Sequence, residues 1–200
     1  MSGALQDEID RMYRVSDLMV TSHSTLRDRY VLRARIADIV LLGEGALVTA
    51  FTFLDPAVAK IVLPYGLPPS VLVGLAGIFI FVASLVQMKM DWNGRSALHG
   101  RAAESYLAVK HELGRIKCFS PEDHERLAAA FSSTRDRYEA IGSTTVSLPD
   151  RIFLKLKQIH RVKVEISKAL DSNPGASILL LRLKFWWRDN IRSGADGPKS

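Results

Sequence analysis

Cysteine is almost missing from this chain: Cys118 is the only one in 200 residues. An internal disulfide framework and a thiolate metal site are therefore excluded. A small apolar residue near a helix end is the simplest role for a lone cysteine. Reactive motifs are missing as well. There is no G-x-S-x-G elbow, no P-loop and no dinucleotide fingerprint. His111-Glu112 opens like a zinc-protease helix, but the position four after His111 is Arg115, so the second ligand is absent. His99, His111 and His160 stand as single helix-face residues. The expectation is a protein that is not an enzyme, with no catalytic residue, no metal and no cofactor. Met1 to Arg14 are polar and lack an apolar h-region, so the expectation is that the first apolar helix itself directs targeting.

Charge is missing from one part of the sequence. The average composition, 48% hydrophobic and 24% charged, is ordinary. Between Asp55 and Lys89, however, Lys60 is the only charged residue. Val71 to Met88 reads VLVGLAGIFIFVASLVQM, which carries no charge. At a rise of about 1.5 Å per residue it nearly crosses a hydrocarbon core of about 30 Å. Pro68 and Pro69 precede it, where proline suits a helix start. Lys89, Asp91 and Trp92 follow it, with Trp92 at interfacial depth. A second apolar run, Ile36 to Leu54, carries Asp38 and Glu44. Asp38 can reach a headgroup layer. Glu44 sits deeper, and a charge at the centre of a lone spanning helix costs roughly 2.5–3.5 kcal/mol. The expected unit is a two-helix transmembrane hairpin over 36–88, with spans 36–54 and 71–88 and an external loop at 55–70.

The flanks set the expected orientation. Arg27, Arg29, Arg33 and Arg35 precede the first run, Lys89, Arg95 and Arg101 follow the second, and the connector holds Lys60 alone. That asymmetry places both termini in the cytoplasm of a multi-pass inner (cell) membrane protein. The formal net charge of +6 suits an anionic partner. The lipid bilayer fits. Nucleic acid has no zinc-finger spacing, RNP-like strand or basic-aromatic sheet pattern behind it.

Outside the apolar runs the spacing is helical. Leu5, Ile9, Met12, Ser16, Met19, His23, Leu26 and Tyr30 step by three and four, which predicts a long amphipathic helix over 1–35. Trp92, Arg95, His99, Ala102, Tyr106, Val109, Leu113 and Ile116 repeat that rhythm. Ser120-Pro121-Glu122-Asp123 reads as the next helix start. Leu127, Phe131, Thr134, Tyr138 and Ile141 then carry a helix that Gly142 to Pro149 breaks. Asp150 opens the last long one, with Ile152, Leu156, Ile159, Lys163, Ile166 and Leu170 on its stripe, and Asn173-Pro174-Gly175 ends it. Residues 89–172 are thus expected to form a cytoplasmic bundle in an all-α protein. The tail, 173–200, holds SILLLRLKFWWRDNIR, which suits either an anionic interface or packing on that bundle. A disordered end is expected over Gly194 to Ser200.

The polar content of the first span is the chemically unusual feature. Glu44 and Asp55 are eleven residues apart, on nearly the same helical face, with Gly45, Thr49 and Thr52 near them. These five are the candidate pore-lining residues of an oligomer. The alternative is that Glu44 snorkels or makes one hydrogen bond inside the hairpin. Gly74, Gly77 and Ser84 recur on one side of the second span and permit close helix packing.

The wording after the second span, W-N-G-R-S-A-L-H-G-R-A-A-E-S-Y-L-A-V-K-H-E-L, resembles the SLATT family. These are two-transmembrane effector domains associated with SMODS nucleotidyltransferases and SLOG sensor domains in bacterial conflict systems. Trp92, Arg95, His99, Ala103, Tyr106 and Leu107 carry the resemblance. Tyr138 to Ile141, Leu148-Pro149, Phe153, Lys157, His160 and Lys163 extend it. It implies a non-enzymatic effector of antiphage defence, triggered by a partner that makes or senses a nucleotide signal. The effector would assemble as a homo-oligomer and make the inner membrane leaky, so that the cell arrests or dies. A non-conducting anchor for a cytoplasmic partner and a conventional small ion channel are the other readings.

Overall fold

The computed structural model describes residues 2–53, 55, 58, 68–119 and 124–192. Among these every regular element is helical. Helix α1 spans Ser2–Thr52, α2 Pro69–Met90, α3 Trp92–Ile116, α4 His124–Thr144, α5 Asp150–Ser172 and α6 Ile178–Trp187; one π turn, Arg188–Arg192, follows. The chain divides into two compact units: residues 1–23 with 102–200, and residues 24–101. Most of the connector at 55–70, the helix start at 120–123 and the end after 192 lie outside the described residues.

Helix boundaries follow local chemistry. No proline interrupts α1 until Pro56, past its end, so 51 residues run without a break. Proline at the first position of α2 supplies a preset helical φ and lacks the N–H that would be orphaned there. Pro149, extended at φ −61° and ψ 133°, directs the chain into α5. The break expected over Gly142 to Pro149 falls after Thr144. Helix α4 continues to Thr144, and hydroxyls take up its last carbonyls: Ser143 and Thr144 donate to the Ala140 carbonyl at 2.9 Å, and Thr145 to that of Ile141 at 2.8 Å. A glycine inside a helix costs about 1 kcal/mol relative to alanine. These terminal bonds offset that.

Between α2 and α3 the joint is one residue. Asp91 is left-handed, with φ 42° and ψ 54°, a conformation that Asp tolerates better than most side chains. Its N–H donates to the Gln87 carbonyl at 3.2 Å, closing α2. Its carboxylate Oδ1 accepts the Gly94 N–H at 3.0 Å, capping α3. A Cβ on Gly94 would stand 2.7 Å from the Asp91 Cγ. The glycine is what allows the carboxylate to fold back over the helix start.

In the first unit, Ile9 and Met12 of α1 meet Tyr106, Val109, Leu113 and Ile116 of α3 and Leu127, Phe131 and Ile141 of α4. Ile9, Val109 and Leu113 have no exposed surface. Each such side chain contributes about 1.5–3 kcal/mol of transfer free energy. Leu156 and Ile166 are the buried residues of α5. Of the expected α5 stripe, Lys163 is exposed. Polar residues share this interior: Ser16, Thr21, Ser22, His23 and Thr134 are all buried.

The second unit is different. Among the described residues one stretch, beginning at Ser70, is long and apolar enough to cross a membrane, and none of its most apolar window is buried. Ile39, Leu42 and Leu47 of α1 and Leu75, Ile78 and Phe81 of α2 are each more than half exposed. A monomer in water rarely shows so continuous an apolar surface.

Candidate functional site

In the second unit, polar groups on two apolar helices are brought together at one place. The Gln87 side-chain amide of α2 donates to the Asp38 carboxylate of α1 at 2.6 Å. A charge-assisted bond of that length holds an acid on an otherwise apolar wall. Next to it runs an apolar groove of about 450 Å³, lined by Arg33, Ile36, Val40, Phe79, Val86 and Trp92 among others.

The five candidate pore residues separate. Glu44 and Gly45 are half-buried, on the side of α1 that also half-buries Ala37, Leu41, Val48 and Phe51; Thr49, Thr52 and Asp55 are exposed. The Glu44 Oε2 is enclosed and meets no hydrogen-bond donor among the described residues. An enclosed acceptor without a donor costs roughly 1–3 kcal/mol, more when charged. The two hydroxyls have local partners: Thr49 donates to the Gly45 carbonyl at 2.8 Å and Thr52 to that of Val48 at 2.7 Å. Ser84 donates to the Ile80 carbonyl at 2.8 Å. Such bonds satisfy a hydroxyl without water. Gly74 and Gly77 face open space, with nothing within 4 Å of where a Cβ would lie. The close approach these glycines permit is not made among the described residues.

The residues that follow the apolar helix play unequal parts. Trp92 is half-buried at the groove. His99 is buried and stacks on Tyr30, with ring centroids 5.6 Å apart and planes 8° apart. Arg33 lies over the other partner of that stack, 5.9 Å from the Tyr30 centroid. Burial holds the His99 imidazole below its usual range, and the nearby Arg95 charge lowers it further. Arg95 itself is exposed and Ser96 is buried in its place on the stripe. A long cation leaves the seam more cheaply than a small hydroxyl does.

Tyr106 belongs to the first unit. It stacks on His23 at 5.7 Å and meets Tyr138 edge-on at 5.7 Å. Burial raises the Tyr138 phenol, and Tyr106 adds to that. His160 of α5 shares a 3.0 Å hydrogen bond with the Thr21 hydroxyl. It also lies 3.7 Å from Asp17, whose other oxygen takes the Lys110 ammonium at 2.7 Å.

A cationic groove escaped the sequence reading. Arg14 of α1 and Lys157, Arg161 and Lys168 of α5 line a cleft of about 770 Å³ with Tyr13 and Phe153. The acids beside it are engaged: Asp17 by Lys110 and Glu165 by Arg188, each at 2.7 Å. The four cations make no ion pair among the described residues. The signal was present, because Lys157, Arg161 and Lys168 recur at steps of four and seven on one helix face. No group of three or more metal-binding side chains occurs among the described residues.

Comparison with known proteins gives no match to a family model, a curated protein or a solved structure.

Proposed function

We propose that this chain is a membrane effector of a bacterial antiphage, nucleotide-signal-linked defence system. It inserts residues 36–54 and 71–88 as the two spans of a hairpin, keeps both termini and a cytoplasmic helical bundle inside, oligomerises, and permeabilises the inner membrane. The result is arrest or death of the infected cell. The observation that carries the membrane part is the apolar stretch from Ser70, none of whose most apolar window is buried in the chain. The effector part rests on the SLATT resemblance of Trp92, Arg95, His99 and Tyr106.

Conduction is supported by Glu44, whose enclosed Oε2 lacks a donor among the described residues. Water in an assembled path, or a donor on another protomer, would satisfy it. Gly74 and Gly77, open in the single chain, are where a second copy could approach closely. The cationic groove is where an anionic signal, or a partner presenting one, would be met.

A second reading has its own observation. The hydroxyls of Thr49, Thr52 and Ser84 are satisfied by their own helices. Such helices can face lipid as a non-conducting anchor for a cytoplasmic partner. Dye release from proteoliposomes separates the two. Release by chain that resists alkaline extraction supports the effector; intact vesicles under the same insertion, with and without the partner, support the anchor.

A further inference from the structure

The tail helix presents an apolar surface that neither the spanning hairpin nor the cationic groove uses. Leu179, Leu180, Leu183, Trp186 and Trp187 are between 55% and 74% exposed, and no residue of α6 is buried. At about 100° per residue these five side chains occupy one arc of roughly 120°. Arg182 lies just beyond one margin of the arc and Lys184 just beyond the other, both exposed. Leu181 and Phe185, four apart on the opposite side, are half-buried. The far end is fastened, because Arg188 pairs with Glu165 of α5 at 2.7 Å. The outward direction of the arc is thus set by the protein.

The arc needs a cover, and its chemistry selects one. Ten residues at about 1.5 Å each reach roughly 15 Å, half of a hydrocarbon core, so α6 does not span. Two adjacent tryptophans have an apolar body and an N–H that prefers the headgroup boundary. No acid lies between Asp171 and Asp189, and cations flank the apolar arc on both sides. That pattern complements an anionic lipid surface, with the aliphatic stems of Arg182 and Lys184 lying along the arc and their charges at phosphate depth.

We infer that α6 is an interfacial anchor: its apolar arc rests in the headgroup–acyl boundary of an anionic bilayer, and Arg182 and Lys184 engage lipid phosphates. This contact is separate from the hairpin and does not depend on it.

The test uses the full chain with Cys118→Ser and a single fluorophore-labelled Leu183→Cys, in vesicles of phosphatidylcholine with or without phosphatidylglycerol. Nitroxide lipids and aqueous iodide serve as opposing quenchers. A label placed by Ser167→Cys, an exposed position on α5, is the reference. The expected result is lipid quenching at position 183 with protection from iodide in phosphatidylglycerol vesicles, and the reverse at 167. Arg182→Gln with Lys184→Gln should lower the lipid-to-iodide quenching ratio roughly thirtyfold, since each basic residue near an anionic surface is worth about fivefold. Iodide quenching at 183 in both vesicle types overturns the inference. So does protection from both quenchers, which means protein covers the arc, and so does lipid quenching that is indifferent to phosphatidylglycerol and to the double substitution. Alkaline extraction of the same vesicles reports on the hairpin alone, so failure of spanning and failure of the anchor are read separately.

Discussion

Leu113→Ala is the sharpest probe of the first unit's interior. Leu113 has no exposed surface and is surrounded by Ile9, Val109, Ile116 and other members of one cluster. Replacing an enclosed leucine by alanine costs about 2–5 kcal/mol, the upper half applying where neighbours cannot collapse into the space. Ile9 and Val109 are themselves fully enclosed, so a loss of about 3–5 kcal/mol is expected. Leu107, on the same helix, is 38% exposed; its truncation should cost about 1 kcal/mol or less. With a urea dependence of about 2 kcal/mol/M, Leu113→Ala should lower the unfolding midpoint by about 2 M and Leu107→Ala by under 0.5 M. Proteolytic susceptibility across a urea series in mild detergent measures both. Equal shifts for the two variants, or none for Leu113→Ala, would refute the argument that this stripe forms the interior.

Acidification should destabilise the first unit through His160. Burial is the main cause of its lowered pKa; Lys163 and Lys110 reinforce it and Asp17 opposes it. A histidine kept neutral by folding contributes stability fully above its unfolded pKa near 6.5. That contribution is lost as pH falls from there toward the depressed folded value. His160→Gln should flatten the melting temperature between pH 7.5 and pH 5, and an unchanged slope would argue against it. Gly94→Ala should lower stability by about 1 kcal/mol, because a methyl expels the capping Asp91 carboxylate. With Asp91→Gly the same substitution should become neutral or favourable through alanine's helix propensity; a double-mutant cycle without that coupling would contradict it. The exposed native Cys118 should resist an impermeant maleimide in intact spheroplasts and react after lysis; labelling before lysis reverses the proposed orientation.

What was legible in the sequence was local. Ile9, Met12 and Leu113 could be placed inside from spacing alone, because a helix repeats its faces every three to four residues. The start of α5 at Asp150 and its end at Ser172 follow from Pro149 and from Asn173-Pro174, residues that act on their own backbone. Glu44 is legible as the only charge between Ile39 and Leu54. Long-range partners were not legible. Gln87 and Asp38 are 49 residues apart, and no pattern links them. Arg95 fell on the stripe by count, yet Ser96 is the one inside, since a step of three or four does not decide between adjacent positions. The separation of Glu44 and Gly45 from Thr49 and Thr52 needed the actual burial of α1. The cationic groove needed α1 and α5 to be brought side by side.

Glu44 is the residue on which the permeabilising account turns. Current across planar bilayers holding the full chain, measured beside Glu44→Gln and Glu44→Leu, tests it most directly. The account predicts a cation-preferring conductance, a weaker preference in Glu44→Gln with assembly intact, and a closed or dewetted path in Glu44→Leu. Bilayers that hold inserted chain yet conduct identically in all three forms would contradict a path through Glu44; so would a silent native chain together with a Glu44→Leu chain that is merely more stable.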